Sequence, residues 1–75
     1  MVLKGDILKW RYAETAAERE DVMSVESVDG PFIRVRHIGE AAAPVSVTRE
    51  DLVRKVGTMK EGESLMEAYR KHKKL

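Results

Sequence analysis

The chain contains no cysteine, and only four of its 75 residues are Trp, Tyr or Phe. It can therefore form neither a disulfide nor a thiolate metal site. Its two histidines, His37 and His72, lie far apart in sequence, and no motif supplies a third ligand. A chain of this length buries only about 60% of the surface that its unfolded form exposes. We therefore expect a thin core stabilised by packing or self-association, with no metal and no cofactor.

The sequence also lacks a long apolar run. Its first ten residues, "MVLKGDILKW", include the charged Lys4, Asp6 and Lys9. A signal peptide needs an uninterrupted apolar stretch, and a membrane-spanning helix needs about 20 apolar residues. These absences favour a cytoplasmic location and no membrane partner.

Neither sign of charge dominates, because the chain has 14 Lys and Arg residues and 13 Asp and Glu residues, which gives a net charge of +1. The distribution is uneven. Residues 1–30 hold four basic and seven acidic side chains, whereas residues 31–75 hold ten basic and six acidic ones. This asymmetry permits a basic face, but a near-neutral chain weighs against a partner recruited mainly by charge, such as nucleic acid.

Motifs of catalysis are missing as well. The sequence has no glycine-rich phosphate loop, no cysteine nucleophile and no H-E-x-x-H zinc motif. Many of its carboxylates fall in predicted loops and helix starts, where solvation and capping account for them. These are Glu18, Glu20, Asp21, Glu50, Asp51, Glu61 and Glu63. The sequence therefore predicts a protein that is not an enzyme, with no catalytic residues and no evident small-molecule substrate.

Alternating apolar residues predict strands over Leu3–Tyr12, Val22–Val28 and Phe32–Ile38. The last two flank Asp29-Gly30-Pro31 and form a hairpin. For Val25 and Val35 to share the buried face, their loop must have an odd number of residues, which predicts a three-residue loop. That register places His37 inside, as a core or rim residue, and sets Glu26 opposite Arg34.

The remaining segments follow from turn and cap signals. Residues 13–21 are read as an exposed loop with at most one helical turn, and Val45–Thr48 as a short strand. Thr48 is expected to cap a helical turn before Leu52 and Val53. The clearest helix runs from about residue 60 to 74, firm from Ser64, with an apolar stripe that includes Ala68.

This order of elements is similar to that of small SH3-like barrels, in which "KGDIL" near the start, a central hairpin and a strand running into a turn such as "VSVTREDL" recur. The resemblance rests on strand spacing and covers residues 3–55. It implies a mostly β single domain, residues 1–75, with four to five short antiparallel strands forming a small SH3-like barrel. Residues 56–75 would form a helical C-terminal extension with an amphipathic helix.

These features favour a small binding module that mediates protein–protein interaction or homo-oligomerisation. The candidate protein interface consists of Phe32, Met66, Tyr69 and Leu75. The alternative is a DNA- or RNA-binding accessory protein with stacking rings and a basic face, comprising Trp10, Phe32, Arg34, Arg36, Arg70, Lys71, Lys73 and Lys74. Against this alternative, Trp10 and Tyr12 can equally be core residues, and Arg34 can be a surface charge paired with Glu26.

Overall fold

A computed structural model of the chain describes residues 2–38 and 45–73. These residues form one antiparallel sheet of five strands in the order β4-β3-β2-β1-β5, with two helices. The elements are β1 (Asp6–Trp10), α1 (Ala16–Glu20), β2 (Val22–Asp29), β3 (Phe32–Ile38), β4 (Val45–Arg49), β5 (Val53–Thr58) and α2 (Leu65–His72). The prediction of a mostly β domain with a C-terminal helix is confirmed.

The sheet is strongly curled because its two edge strands are joined by a very short connection. β4 ends at Arg49 and β5 begins at Val53, with only the 3₁₀ turn Glu50–Leu52 between them. The edges of a flat five-stranded sheet would lie about 19 Å apart, whereas four Cα steps span at most about 15 Å. Within the described residues β4 and β5 do not pair with each other, so the sheet is curled but open.

The inner, concave face of the sheet holds the larger apolar cluster. Strand alternation places Leu8, Met23 and Val35 on this face, and all three are fully buried. Trp10, at the end of β1, packs against the edge of the cluster. The other members of the cluster are Val2, Val25, Ile33 and Val53.

The outer face carries a second apolar cluster beneath α2. Ile7, Val22 and Ile38 point outward from three neighbouring strands and meet Ala68 of α2, which is fully buried. Ser64 caps this helix, since its side chain accepts a hydrogen bond from the Glu67 N–H. The C-terminal helix therefore lies on the sheet, and it is shorter than the helix of residues 60–74 predicted from the sequence.

The β2–β3 hairpin has the predicted buried register but a different turn. Val25 pairs with Val35 as expected, yet Asp29 pairs directly with Phe32, so the loop has two residues, Gly30 and Pro31. A bulge between Val25 and Ser27 adds the residue that restores the parity. The prediction of a three-residue loop was therefore wrong, because the extra residue that the register requires lies in a bulge within β2 and not in the loop.

The bulge also changes the cross-strand partner of Arg34. Ser27, not Glu26, lies opposite Arg34. The Glu26 carboxylate instead accepts a hydrogen bond of 2.8 Å from Arg36 Nε. The predicted pairing of Arg34 with Glu26 was wrong, since the bulge moves Glu26 out of the position opposite Arg34.

β5 was not predicted, and its first residues were assigned to a helical turn. The turn exists, but it follows Arg49 rather than Thr48 and has no side-chain cap. The next six residues, Val53–Thr58, form the edge strand beside β1, so residues 56–58 do not belong to a helical extension. In the segment "VRKVGT" apolar and polar residues do not alternate regularly. An edge strand in which only Val53 is buried does not need such alternation.

The segment between β1 and β2 contains a short helix in place of most of the predicted loop. Thr15 caps this helix, since its Oγ1 accepts from the Glu18 N–H, and a Glu18 carboxylate oxygen accepts from the N–H of Glu14, the residue before the cap. α1 has no buried residue. Local capping therefore specifies it, and it places Arg19 and Glu20 beside the end of β1.

Candidate functional site

A cleft of about 520 Å³ opens where the end of β1 meets α1, β5 and the end of α2. Five of the nine residues that line it are basic, and one is acidic. We call it the basic cleft. Its lining residues are Lys9, Trp10, Arg11, Ala13, Ala16, Arg19, Glu20, Arg54 and Lys73.

Lys9 forms the inner wall of the basic cleft. It points outward from β1 opposite Arg54 of β5, and only 2% of its surface is exposed. Its Nζ donates a hydrogen bond of 3.0 Å to the main-chain carbonyl of Lys73, which ties β1 to the end of α2. Burial, and secondly the charge of Arg54, lower the pKa of Lys9, while the carboxylates of Glu20 and Asp21 oppose this shift.

Three arginines supply the accessible charge of the basic cleft. Arg11, Arg19 and Arg54 are exposed and come from the end of β1, from α1 and from β5. Arg11 donates one hydrogen bond, from Nη2 to the Val53 carbonyl at 3.1 Å, which orients its guanidinium along the end of the sheet. A guanidinium has five N–H donors, so Arg11 keeps donors for an anionic ligand.

Trp10 lies at the rim of the basic cleft and is fixed by a network of hydrogen bonds. Its Nε1–H donates to Asp21 Oδ2 at 3.0 Å. The same oxygen lies 2.8 Å from His37 Nδ1, and His37 Nε2 lies 3.1 Å from Ser46 Oγ. The Trp10 and His37 ring centroids are 6.2 Å apart at an interplanar angle of 40°. The network holds the indole in one orientation beside the inner core.

On the side of Trp10 away from the basic cleft, the surrounding side chains are acidic. A second cleft of about 480 Å³ is lined by Trp10, Tyr12, Glu14, Glu18 and Asp21. Tyr12 is 76% exposed, so the sequence-based alternative that placed it in the core was wrong, whereas Trp10 is half-buried. An extended anion would therefore be attracted to one side of the indole and repelled from the other.

The outer face of β3 and β4, beyond α2, forms a second exposed surface. Phe32, Val45 and Val47 are 51%, 42% and 62% exposed. Cross-strand pairing places Arg34 opposite Val47 on the same face. We call these four residues, together with the exposed Arg49 opposite Phe32, the β3–β4 surface. It is a mixed apolar and basic patch on an edge strand.

The structure distributes the predicted nucleic-acid residues over more than one region. Trp10 and Lys73 line the basic cleft. Phe32 and Arg34 belong to the β3–β4 surface, and Arg36 is the half-buried partner of Glu26. Arg70 and Lys71 are exposed on α2, and Lys74 lies outside the described residues.

The predicted protein-interface residues are also separated. Tyr69 packs against the outer apolar cluster, whereas Met66 on the same helix is 42% exposed. Phe32 lies at the opposite end of β3 from Ile38, the residue that contacts α2. Six steps along the strand separate the two residues by about 20 Å. Leu75 lies outside the described residues.

Four basic residues of the cleft were not selected from the sequence: Lys9, Arg11, Arg19 and Arg54. The alternation of β1 does place Lys9 and Arg11 on one face, which is a usable signal. Arg54 could not be found in this way because β5 was not predicted. Arg19 is contributed by α1, whose position depends on the docking of the Thr15-capped turn.

Metal and membrane features are not found in the described part of the chain. No three His, Asp or Glu side chains in residues 2–38 and 45–73 are placed to hold a metal ion. Neither α1 nor α2 has the length and apolar character that crossing a bilayer requires.

No family model matches the chain, and neither the curated proteins nor the solved structures include a significant match.

Proposed function

We propose that the chain is a binding module for single-stranded nucleic acid, with the basic cleft as its phosphate-binding centre. The observation that carries this proposal is the convergence of five basic side chains, against one carboxylate, from four separate segments. The lining of the basic cleft differs from the nucleic-acid surface expected from the sequence and shares only Trp10 and Lys73 with it. A net charge of +1 does not oppose it, because the charge is concentrated locally.

The chemistry of the cleft suits a phosphate group beside a base. Exposed guanidinium groups donate paired hydrogen bonds to phosphate oxygens. Trp10 offers a half-buried indole at the rim, and aromatic side chains stack on bases of single strands. A volume of about 520 Å³ is within the range of small-ligand sites, so one nucleotide unit fits at a time.

The test is fluorescence anisotropy of a labelled oligothymidylate over a salt series, with Arg19→Gln, Arg54→Gln and the matched control Arg34→Gln. We expect binding that weakens steeply with salt. Loss of one phosphate contact in Arg54→Gln should reduce the salt slope by about 0.7. Arg34→Gln should bind like the parent chain. Absence of binding at low salt contradicts the proposal, and loss in Arg34→Gln alone moves the site to the β3–β4 surface.

A second candidate function is protein interaction or self-association through the β3–β4 surface. Its specific support is the exposure of Phe32, Val45 and Val47 beside β4, an edge strand whose only partner in the described residues is β3. Exposed edge strands pair readily with another chain. Sedimentation velocity should then show a concentration-dependent larger species, which Val47→Lys removes. A monomer at all concentrations excludes self-association.

The SH3-like resemblance is retained as a proposal. It is supported by five antiparallel strands, by edge strands joined through a 3₁₀ turn and by the resulting curl. The proposal assigns a closed barrel and so goes beyond the open sheet of the described residues. One fold hosts many functions, so the function must be argued from the site itself.

A further inference from the structure

Three side chains that are distant in sequence form one hydrogen-bonded chain at the rim of the inner face. Ser46 of β4, His37 of β3 and Asp21 before β2 are linked by distances of 3.1 and 2.8 Å. We call these residues the Ser46–His37–Asp21 chain. None of them belongs to the basic cleft, and the sequence contains no motif that relates them.

The order of the groups fixes the direction of the hydrogen bonds. The Asp21 carboxylate only accepts, so the neutral imidazole carries its proton on Nδ1 and leaves Nε2 as an acceptor. Ser46 Oγ therefore donates to Nε2. This is a hydroxyl hydrogen-bonded to a base, which is in turn oriented by a carboxylate, the arrangement that activates a serine nucleophile.

The surroundings of the Ser46–His37–Asp21 chain hold its three side chains rigidly and still leave them accessible. Trp10 Nε1–H donates to the same Asp21 oxygen that His37 contacts, which fixes the carboxylate. The side chains of His37 and Asp21 are 31% and 26% exposed, and Ser46 is partly exposed. Within the described residues β4 pairs only with β3, so Ser46 lies at the edge of the sheet.

We propose that Ser46 is an activated nucleophile that reacts with activated esters of carboxylic or phosphoric acids. Ser46 Oγ forms a bond to the acyl carbon or to the phosphorus while its proton moves to His37 Nε2. The bond to the leaving alcohol then breaks, and that alcohol takes the proton from Nε2. Water then attacks the acyl or phosphoryl group on Ser46 while His37 Nε2 accepts a proton from it. Nε2 gives that proton to Ser46 Oγ as the bond to Oγ breaks, which releases the acid and restores Ser46. This activity is independent of nucleic-acid binding.

The probe is diisopropyl fluorophosphate, which transfers its phosphoryl group to activated hydroxyls with loss of fluoride. Intact-mass measurement and peptide mapping should show one adduct, on Ser46. Ser46→Ala should abolish it, and His37→Gln should slow it by at least about 100-fold, the contribution of a general base. Ser27→Ala, which alters an exposed serine of β2, should leave the rate unchanged.

Three results would overturn the proposal. They are the absence of an adduct on the folded protein, equal labelling of Ser46 in the folded and the urea-unfolded protein, and an unchanged labelling rate in His37→Gln. Circular dichroism establishes that each variant is folded. If His37→Gln does not fold, Asp21→Asn replaces it. If neither folds, the comparison of folded with unfolded parent chain decides, since only an activated Ser46 reacts faster in the folded state.

Discussion

The imidazole of His72 lies directly against the backbone of Gly57, where α2 meets the edge strand β5. A Cβ built on Gly57 would be 2.8 Å from both Cε1 and Nε2 of His72. Only a residue without a side chain permits this approach. His72 is 6% exposed, so its ring is confined between the helix and the strand. The contact explains why α2 can pack closely on the sheet.

Gly57→Ala should therefore destabilise the protein, because the added methyl group displaces a confined ring. We expect a loss of about 1–3 kcal/mol in the free energy of unfolding, the usual cost of overpacking. Urea denaturation followed by circular dichroism measures it. In a His72→Ala background the same substitution should cost much less, since the clash is gone. Equal costs in both backgrounds would show that the contact is not responsible.

Stability should depend on pH through His72. Burial, and secondly the charge of Lys71, lower its pKa below 6.5; Lys9 acts in the same direction and Glu63 in the opposite one. Below 6.5 the unfolded chain takes up a proton that the folded chain does not, so stability falls as the pH drops from 6.5 to the lowered native pKa. Thermal unfolding at pH 5 and pH 7.5 should show this difference, and His72→Gln should reduce it. An identical pH dependence in both proteins would contradict the role of His72.

Asp21 should be a stabilising residue because it accepts from both Trp10 and His37. Asp21→Ala leaves two half-buried donors without this partner, at an expected cost of about 1–3 kcal/mol. Trp10 emission should shift to longer wavelength as the indole becomes more mobile and hydrated. Urea denaturation and fluorescence spectra test both effects. Asp29→Ala, at an exposed position, is the control and should change neither.

Ala68 should tolerate no larger side chain, because it is fully buried against Ile7, Val22 and Ile38. Ala68→Leu is expected to cost about 1–3 kcal/mol by overpacking the outer cluster or displacing α2. Amide hydrogen exchange of residues 65–72 should accelerate. Met66→Leu, on the exposed side of the same helix, should leave exchange and stability nearly unchanged. Unchanged protection in Ala68→Leu would show that this contact does not anchor the helix.

Local patterns in the sequence predicted the elements that depend on nearby residues. The alternation in β2 and β3 predicted the buried pairing of Val25 with Val35. The C-terminal helix was predicted as firm from Ser64, which caps α2, although its favoured start lay near residue 60. Features that depend on residues distant in sequence were harder to predict from the sequence. The bulge at Glu26 and the edge strand β5 leave almost no trace in periodicity, because a bulge interrupts alternation and an edge strand is mostly exposed.

The sequence by itself determined the strand-rich core, the location of the β2–β3 turn and the Ser64 cap of α2, since each rests on side-chain alternation or on contacts within a few residues. Only the tertiary structure decided which charges meet. The curl of the sheet and the docking of α1 and α2 bring Arg19, Arg54 and Lys73 together, and β-pairing brings His37 to Ser46. Such sites bring together residues of separate strands and helices, and no local propensity specifies the distance between them.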